Sequence, residues 1–75
     1  METTFQQKLA LAVKTKRKEL KLTQEELAGI SGVGMRFLVE LEGGKKETLQ
    51  IGKIQQVLKR LGLTLQIDEK SKSKL

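Results

Sequence analysis

Between Leu22 and Lys46 the chain reads LTQEELAGISGVGMRFLVELEGGKK, and the turn Ser31-Gly32-Val33 near its centre limits what the fold can be. It separates two short amphipathic segments too tightly to hold anything larger, which is the outline of two helices joined at an angle. Thr23 stands directly before the first apolar-periodic run, and Glu26 follows it by one helical turn. That is a capping box: the Thr hydroxyl accepts a backbone N–H while the Glu carboxylate accepts the N–H of the cap residue itself. Leu22 and Leu27 form the matching hydrophobic staple, so a helix is predicted to begin at Gln24. It must stop by Gly32, where glycine readily takes the left-handed conformation that other residues resist. A second helix is predicted from Gly34 or Met35 to Glu42, with Val33 and Leu38 as its staple and Gly43-Gly44 as its stop. Its spacing turns Leu38 and Leu41 inward, with Phe37 beside them, and leaves Met35, Arg36, Val39 and Glu40 facing out.

The flanks follow the same rules. Thr3 or Thr4 is placed to cap a first helix, with Gln6 or Gln7 completing the box. Phe5, Leu9, Ala12, Val13 and Leu20 make one stripe, and the helix runs to about Glu19. Lys14, Lys16, Arg17 and Lys18 crowd its last turns, where cations complement the helix dipole. A fourth helix is predicted to start between Thr48 and Gln50 and to end at Leu61, stopped by Gly62, with Ile51, Ile54, Val57, Leu58 and Leu61 as its buried stripe. Leu63-Thr64-Leu65-Gln66-Ile67 then switches to strict apolar and polar alternation, the period of a strand. A lone strand cannot satisfy its backbone, and nothing else in the chain reads as one. The economical partner is the same strand from a second copy across a twofold axis. The alternative is that Leu63, Leu65 and Ile67 fold back on the helices as an extended tail. The polar run DEKSKSKL, residues 68–75, is expected to be disordered.

A chain of 75 residues makes one domain with a small core, for which a partner subunit is a natural supplement. It has neither cysteine nor histidine, which excludes disulfides and makes a zinc site very unpromising. No nucleophile or acid-base arrangement stands out, so we expect no catalytic residues, no metal and no cofactor. No apolar run approaches the roughly 20 residues that span a bilayer, and no signal-peptide pattern is present. A soluble, cytoplasmic protein with no membrane partner is expected. Fifteen Lys and Arg against nine Asp and Glu give a net charge of +6, a bias towards polyanions that a merely solvated surface would also explain. The loop 43–47 concentrates two glycines and two lysines, suited to a phosphate chain; the competing reading is a helix cap followed by a solvated turn.

Gln24, Leu27, Ala28, Gly32, Val33, Leu38 and Leu41 resemble, in kind and spacing, the phage-repressor-like or XRE-type helix-turn-helix, and Leu41-Glu42-Gly43-Gly44-Lys45 is similar to that family's Leu-Glu-x-Gly-Lys signature. The resemblance implies an all-α, compact four- to five-helix DNA-binding domain over residues 1–67, ending in a short strand (63–67) that pairs across a dimer through Leu63, Leu65 and Ile67. It further implies a structural ion pair between Arg17 and Glu42. The second helix of the motif would enter the major groove of double-stranded DNA, with Met35, Arg36, Val39 and Glu40 matching the family's base readers. Gln24, Lys45, Lys46 and Gln50 would meet phosphates, with Lys21 or Lys53 as further candidates; Gln24 would touch a phosphate or brace the readers. Gly34 departs from the family, where Ser or Thr commonly caps this helix. The segment after Leu61 is similar to that of HipB-type antitoxins. This resemblance implies a homodimeric, nucleoid-associated transcriptional repressor that binds a palindromic operator, represses its own operon and binds a HipA-type kinase toxin subunit. The alternative is a stand-alone or phage-type regulator without a toxin.

Overall fold

The computed structural model describes residues 3–67, which hold four helices and no strand. Helix α1 spans Phe5–Glu19, α2 Gln24–Ser31, α3 Met35–Gly43 and α4 Ile51–Leu61. The polar run 68–75 lies outside the described residues.

The first two helices start where side-chain chemistry dictates. Thr4 accepts the N–H of Gln7 at 3.1 Å while the Gln7 amide oxygen accepts the N–H of Thr4 at 3.0 Å. Thr23 and Glu26 repeat the exchange at 3.0 and 2.8 Å. Each box satisfies two donors that a helix start leaves without partners. The ends of α1, α2 and α4 close in one way, with an N–H reaching back five residues to a carbonyl: Leu22 to Arg17, Val33 to Ala28 and Leu63 to Leu58, at 3.1, 3.1 and 2.8 Å. This closure needs a left-handed residue just past the helix. Gly32 and Gly62 supply it at φ 71° and 73°, and Lys21 supplies it at φ 59° without glycine's freedom.

Helices α1 and α2 each pack against both α3 and α4. Val13, Leu27, Leu38 and Val57 at the centre are fully enclosed. Leu9, Ala28, Leu41, Ile54, Leu58 and Leu61 complete the core, and Leu22, Val33, Phe37, Leu49, Leu63 and Leu65 pack around it. Burying apolar surface from all four helices supplies the main driving force for a domain this small.

Three sequence expectations shift. On α1 the buried face is Leu9, Ala10 and Val13, whereas Phe5, Ala12 and Leu20 are exposed. Ala10 turns inward because the end of α3 comes down on it: a Cβ built on Gly44 would stand 3.2 Å from the Ala10 Cβ. Helix α4 starts at Ile51, later than expected, with Gln50 as an N-cap that makes no side-chain capping bond. Ile51, one turn short of the core, is 60% exposed and drops out of the predicted stripe. Residues 63–67 form no ladder within one chain; Leu63 and Leu65 lean on the core, and Ile67 is 96% exposed.

Candidate nucleic-acid interface

The outward face of α3 is held in place from behind by a carboxylate. Glu42, one residue from the end of α3, has a side chain only 2% exposed. Arg17 on α1 clasps it with Nε to Oε2 at 2.7 Å and Nη2 to Oε1 at 3.0 Å, the two-pronged geometry that makes a guanidinium–carboxylate pair both strong and directional. Arg17 Nη1 donates to the carbonyl of Leu22 at 2.8 Å, and the Gln24 amide donates to Glu42 Oε1 at 3.0 Å. One buried acid thus ties the end of α1, the start of α2 and the end of α3. With several donors on the carboxylate the pair is well satisfied, the condition under which a buried charge is tolerated. Of the two roles that the resemblance offers Gln24, phosphate contact or bracing of the reading helix, this bond makes the bracing one; its partner Glu42 has no signature in spacing.

In front of the tie, Met35 and Val39 are 43% and 47% exposed. Arg36 projects furthest, with a side chain 91% exposed. Glu40 sits lower on the same face, 30% exposed, with Arg36 one turn before it. Gly34 begins α3 at φ −71°, ψ 153° with no side-chain cap, which leaves the first N–H groups of the helix open to an incoming acceptor. Beyond α3, Gly44 at φ 74° reverses the chain, and exposed Lys45 and Lys46 follow. The reversal carries Lys46 back over α3, where its Nζ lies 3.8 Å from Glu40 Oε2. The pairing of Glu40 with Arg36 follows helical spacing, whereas a partner in the following loop is set by the turn and has no signature in spacing. Gln50 at the start of α4 is also exposed and free of a capping bond. Lys53 lies over the Phe37 ring at 5.8 Å from its centre, so it covers the root of α3 from the α4 side.

The site therefore combines an exposed short helix, mixed polar and apolar at its tip, with a lysine-bearing loop at its end. A helix of this kind fits the major groove of B-form DNA, while cations and free N–H groups beside it suit phosphates. The helix-turn-helix domain family matches residues 2–70. The chain belongs to this family. The helix-turn-helix of this member is α2, the turn at Gly32 and α3, in the XRE-like arrangement that its spacing resembles. A protein of Sinorhizobium fredii (strain NBRC 101917 / NGR234), described as an uncharacterized HTH-type transcriptional regulator, y4mF, is 56% identical over 55 residues, 73% of this chain and 71% of that one. A solved structure described as "MDT Protein" superposes with a TM-score of 0.77 at 21% identity, covering 95% of this chain and 99% of that one. That likeness concerns the fold alone.

Among the described residues, no group of His, Cys, Asp or Glu is placed to hold a metal ion, and no helix is long and apolar enough to cross a membrane.

Proposed function

We propose that this chain is a DNA-binding transcriptional regulator of the HTH type that reads the major groove with α3. The observation that carries the reading is the exposed face Met35, Arg36, Val39 and Glu40, fixed from behind by Arg17, Gln24 and Glu42 and flanked by the Lys45–Lys46 loop. The description of the y4mF relative supports it. Arg36 reads guanine through O6 and N7, Met35 and Val39 meet thymine methyls, and Glu40 accepts from a cytosine amine. Lys45, Lys46 and the open helix start at Gln50 neutralise phosphates and set register. Gln24, its amide given to Glu42, braces the motif while its position at the start of α2 stays within reach of a phosphate. Pairing of residues 63–67 with a second copy makes the homodimer, and two recognition helices then address half-sites about 34 Å apart. Selection of the purified chain on random duplexes is expected to return a palindrome with that spacing. Recovery of unenriched sequence would overturn specific recognition.

The finer reading is a HipB-type antitoxin, a cytoplasmic, nucleoid-associated repressor of its own operon that also binds a HipA-type kinase. The alternating segment 63–67 supports it by resemblance. A kinase that co-purifies from the native host after nuclease treatment is the expected result. DNA recovered with no stable protein partner would favour a stand-alone regulator instead.

A further inference from the structure

The reading face of α3 carries an acid among its cations, which is an odd group to aim at a polyanion. Glu40 Oε2 lies 3.6 Å from Arg36 Nε on the same helix and 3.8 Å from Lys46 Nζ in the following loop. The two cations are the outer members, with side chains 91% and 48% exposed against 30% for Glu40. Exposed pairs at such separations add little to folding. Their effect is felt when the surface meets DNA.

We propose that Glu40 is a specificity gate, tethering Arg36 and Lys46 off the phosphate backbone so that DNA of arbitrary sequence is bound weakly. The inference rests on the DNA-binding reading above and adds to it what Glu40 does away from the operator. On an arbitrary duplex, affinity comes almost wholly from cations on phosphates. There Glu40 competes for both cations and itself faces the phosphate charge. At a site that offers guanine to Arg36 and a cytosine amine to Glu40, both members of the helix pair gain base partners, and Lys46 is released to the backbone. The repulsion is therefore offset only on matching sequence. Discrimination is a difference of affinities, and a built-in repulsive group widens it by weakening the wrong complexes. Because Arg36 belongs to the reading helix and Lys46 to the loop, the shared carboxylate also couples base reading to phosphate engagement.

The test compares the full chain with its Glu40→Gln variant on a random-sequence duplex over a range of salt concentrations. Glu40→Gln is expected to bind about tenfold more tightly at low salt, with the log K against log salt slope steeper by about one to two, as one or both freed cations reaching phosphate require. Glu19→Gln is the control, since it makes the same change in net charge off the α3 face, where Glu19 meets only Lys16, at 3.6 Å, among the described residues. It is expected to stay within about twofold of the parent protein on the same duplex. A Glu40→Gln variant that matches the parent, or a Glu19→Gln variant that gains equally, would overturn the gate. If the parent and Glu40→Gln both fail to bind any duplex at low salt, the DNA-binding reading falls and the gate falls with it. If the parent binds with a salt-dependent affinity and Glu40→Gln is no different, only the gate falls.

Discussion

Glu42 shows how much a single residue can carry in a domain of this size. Its carboxylate accepts from Arg17 and Gln24, and the Arg17 side chain is itself only 11% exposed. Glu42→Ala leaves that guanidinium enclosed without its partner, a loss we expect at about 3 to 5 kcal/mol in urea unfolding. Replacing both ends by apolar residues, Arg17→Met with Glu42→Leu, is expected to recover most of it, because no charge is then stranded. A single-variant loss below about 1 kcal/mol would show that water still reaches Arg17. Composition and periodicity say nothing of this pair: its members lie 25 residues apart, and it was legible only through the resemblance of the motif. A bracing role for Gln24 was legible through the resemblance but not its partner Glu42, and the contact of Lys46 with Glu40 was not legible, since both depend on where a turn returns the chain.

At the level of the helices, legibility followed the strength of local signals. The starts of α1 and α2 were readable because each cap bond is made by residues one turn apart. The start of α4 was read only to within a few residues and falls one residue past that range, at Ile51, since Gln50 makes no side-chain capping bond to fix the first turn. The inward face of α1 was misplaced by the same kind of gap, for Ala10 is buried by an approach from α3 that α1 itself does not encode. Helix α3, like α4, starts without a side-chain capping bond, and its cap residue Gly34 has no side chain to make one. A Cβ at Gly34 would meet nothing within 4 Å. Gly34→Ser is therefore expected to stabilise the fold by about 0.5 to 1 kcal/mol, through a new cap and a less flexible unfolded chain. Thermal unfolding would show it as a rise of a few degrees. A fall in melting temperature would mean that the backbone at Gly34 changes when a hydroxyl is added.

At the scale of the whole molecule, the C-terminal segment is only partly covered by its own chain. Leu63 closes α4 through its N–H, and Leu65 leans on the core, but Ile67 is 96% exposed at the end of the described residues. A chain ending at Thr64 keeps the α4 closure and loses the rest of the alternating segment. It is expected to remain helical by circular dichroism and to sediment as a monomer, and the full chain is expected to sediment as a dimer if residues 63–67 pair as proposed. A truncated chain that still dimerises would move the seam elsewhere. The alternation at 63–67 was legible as a pattern, but within one chain it forms no strand, and Leu63 and Leu65 instead lean on the core as the extended-tail reading has them. The contact between Gly44 and Ala10 has a different reach. Gly44, which leads into the loop bearing Lys45 and Lys46, packs on the buried Ala10 of α1 so closely that a Cβ added at Gly44 would stand 3.2 Å from the Ala10 methyl. A larger side chain at Ala10 would push that loop from behind. The proposed grip on a nucleic acid would thus be open to adjustment, by drift or by selection, at a buried position outside the proposed interface.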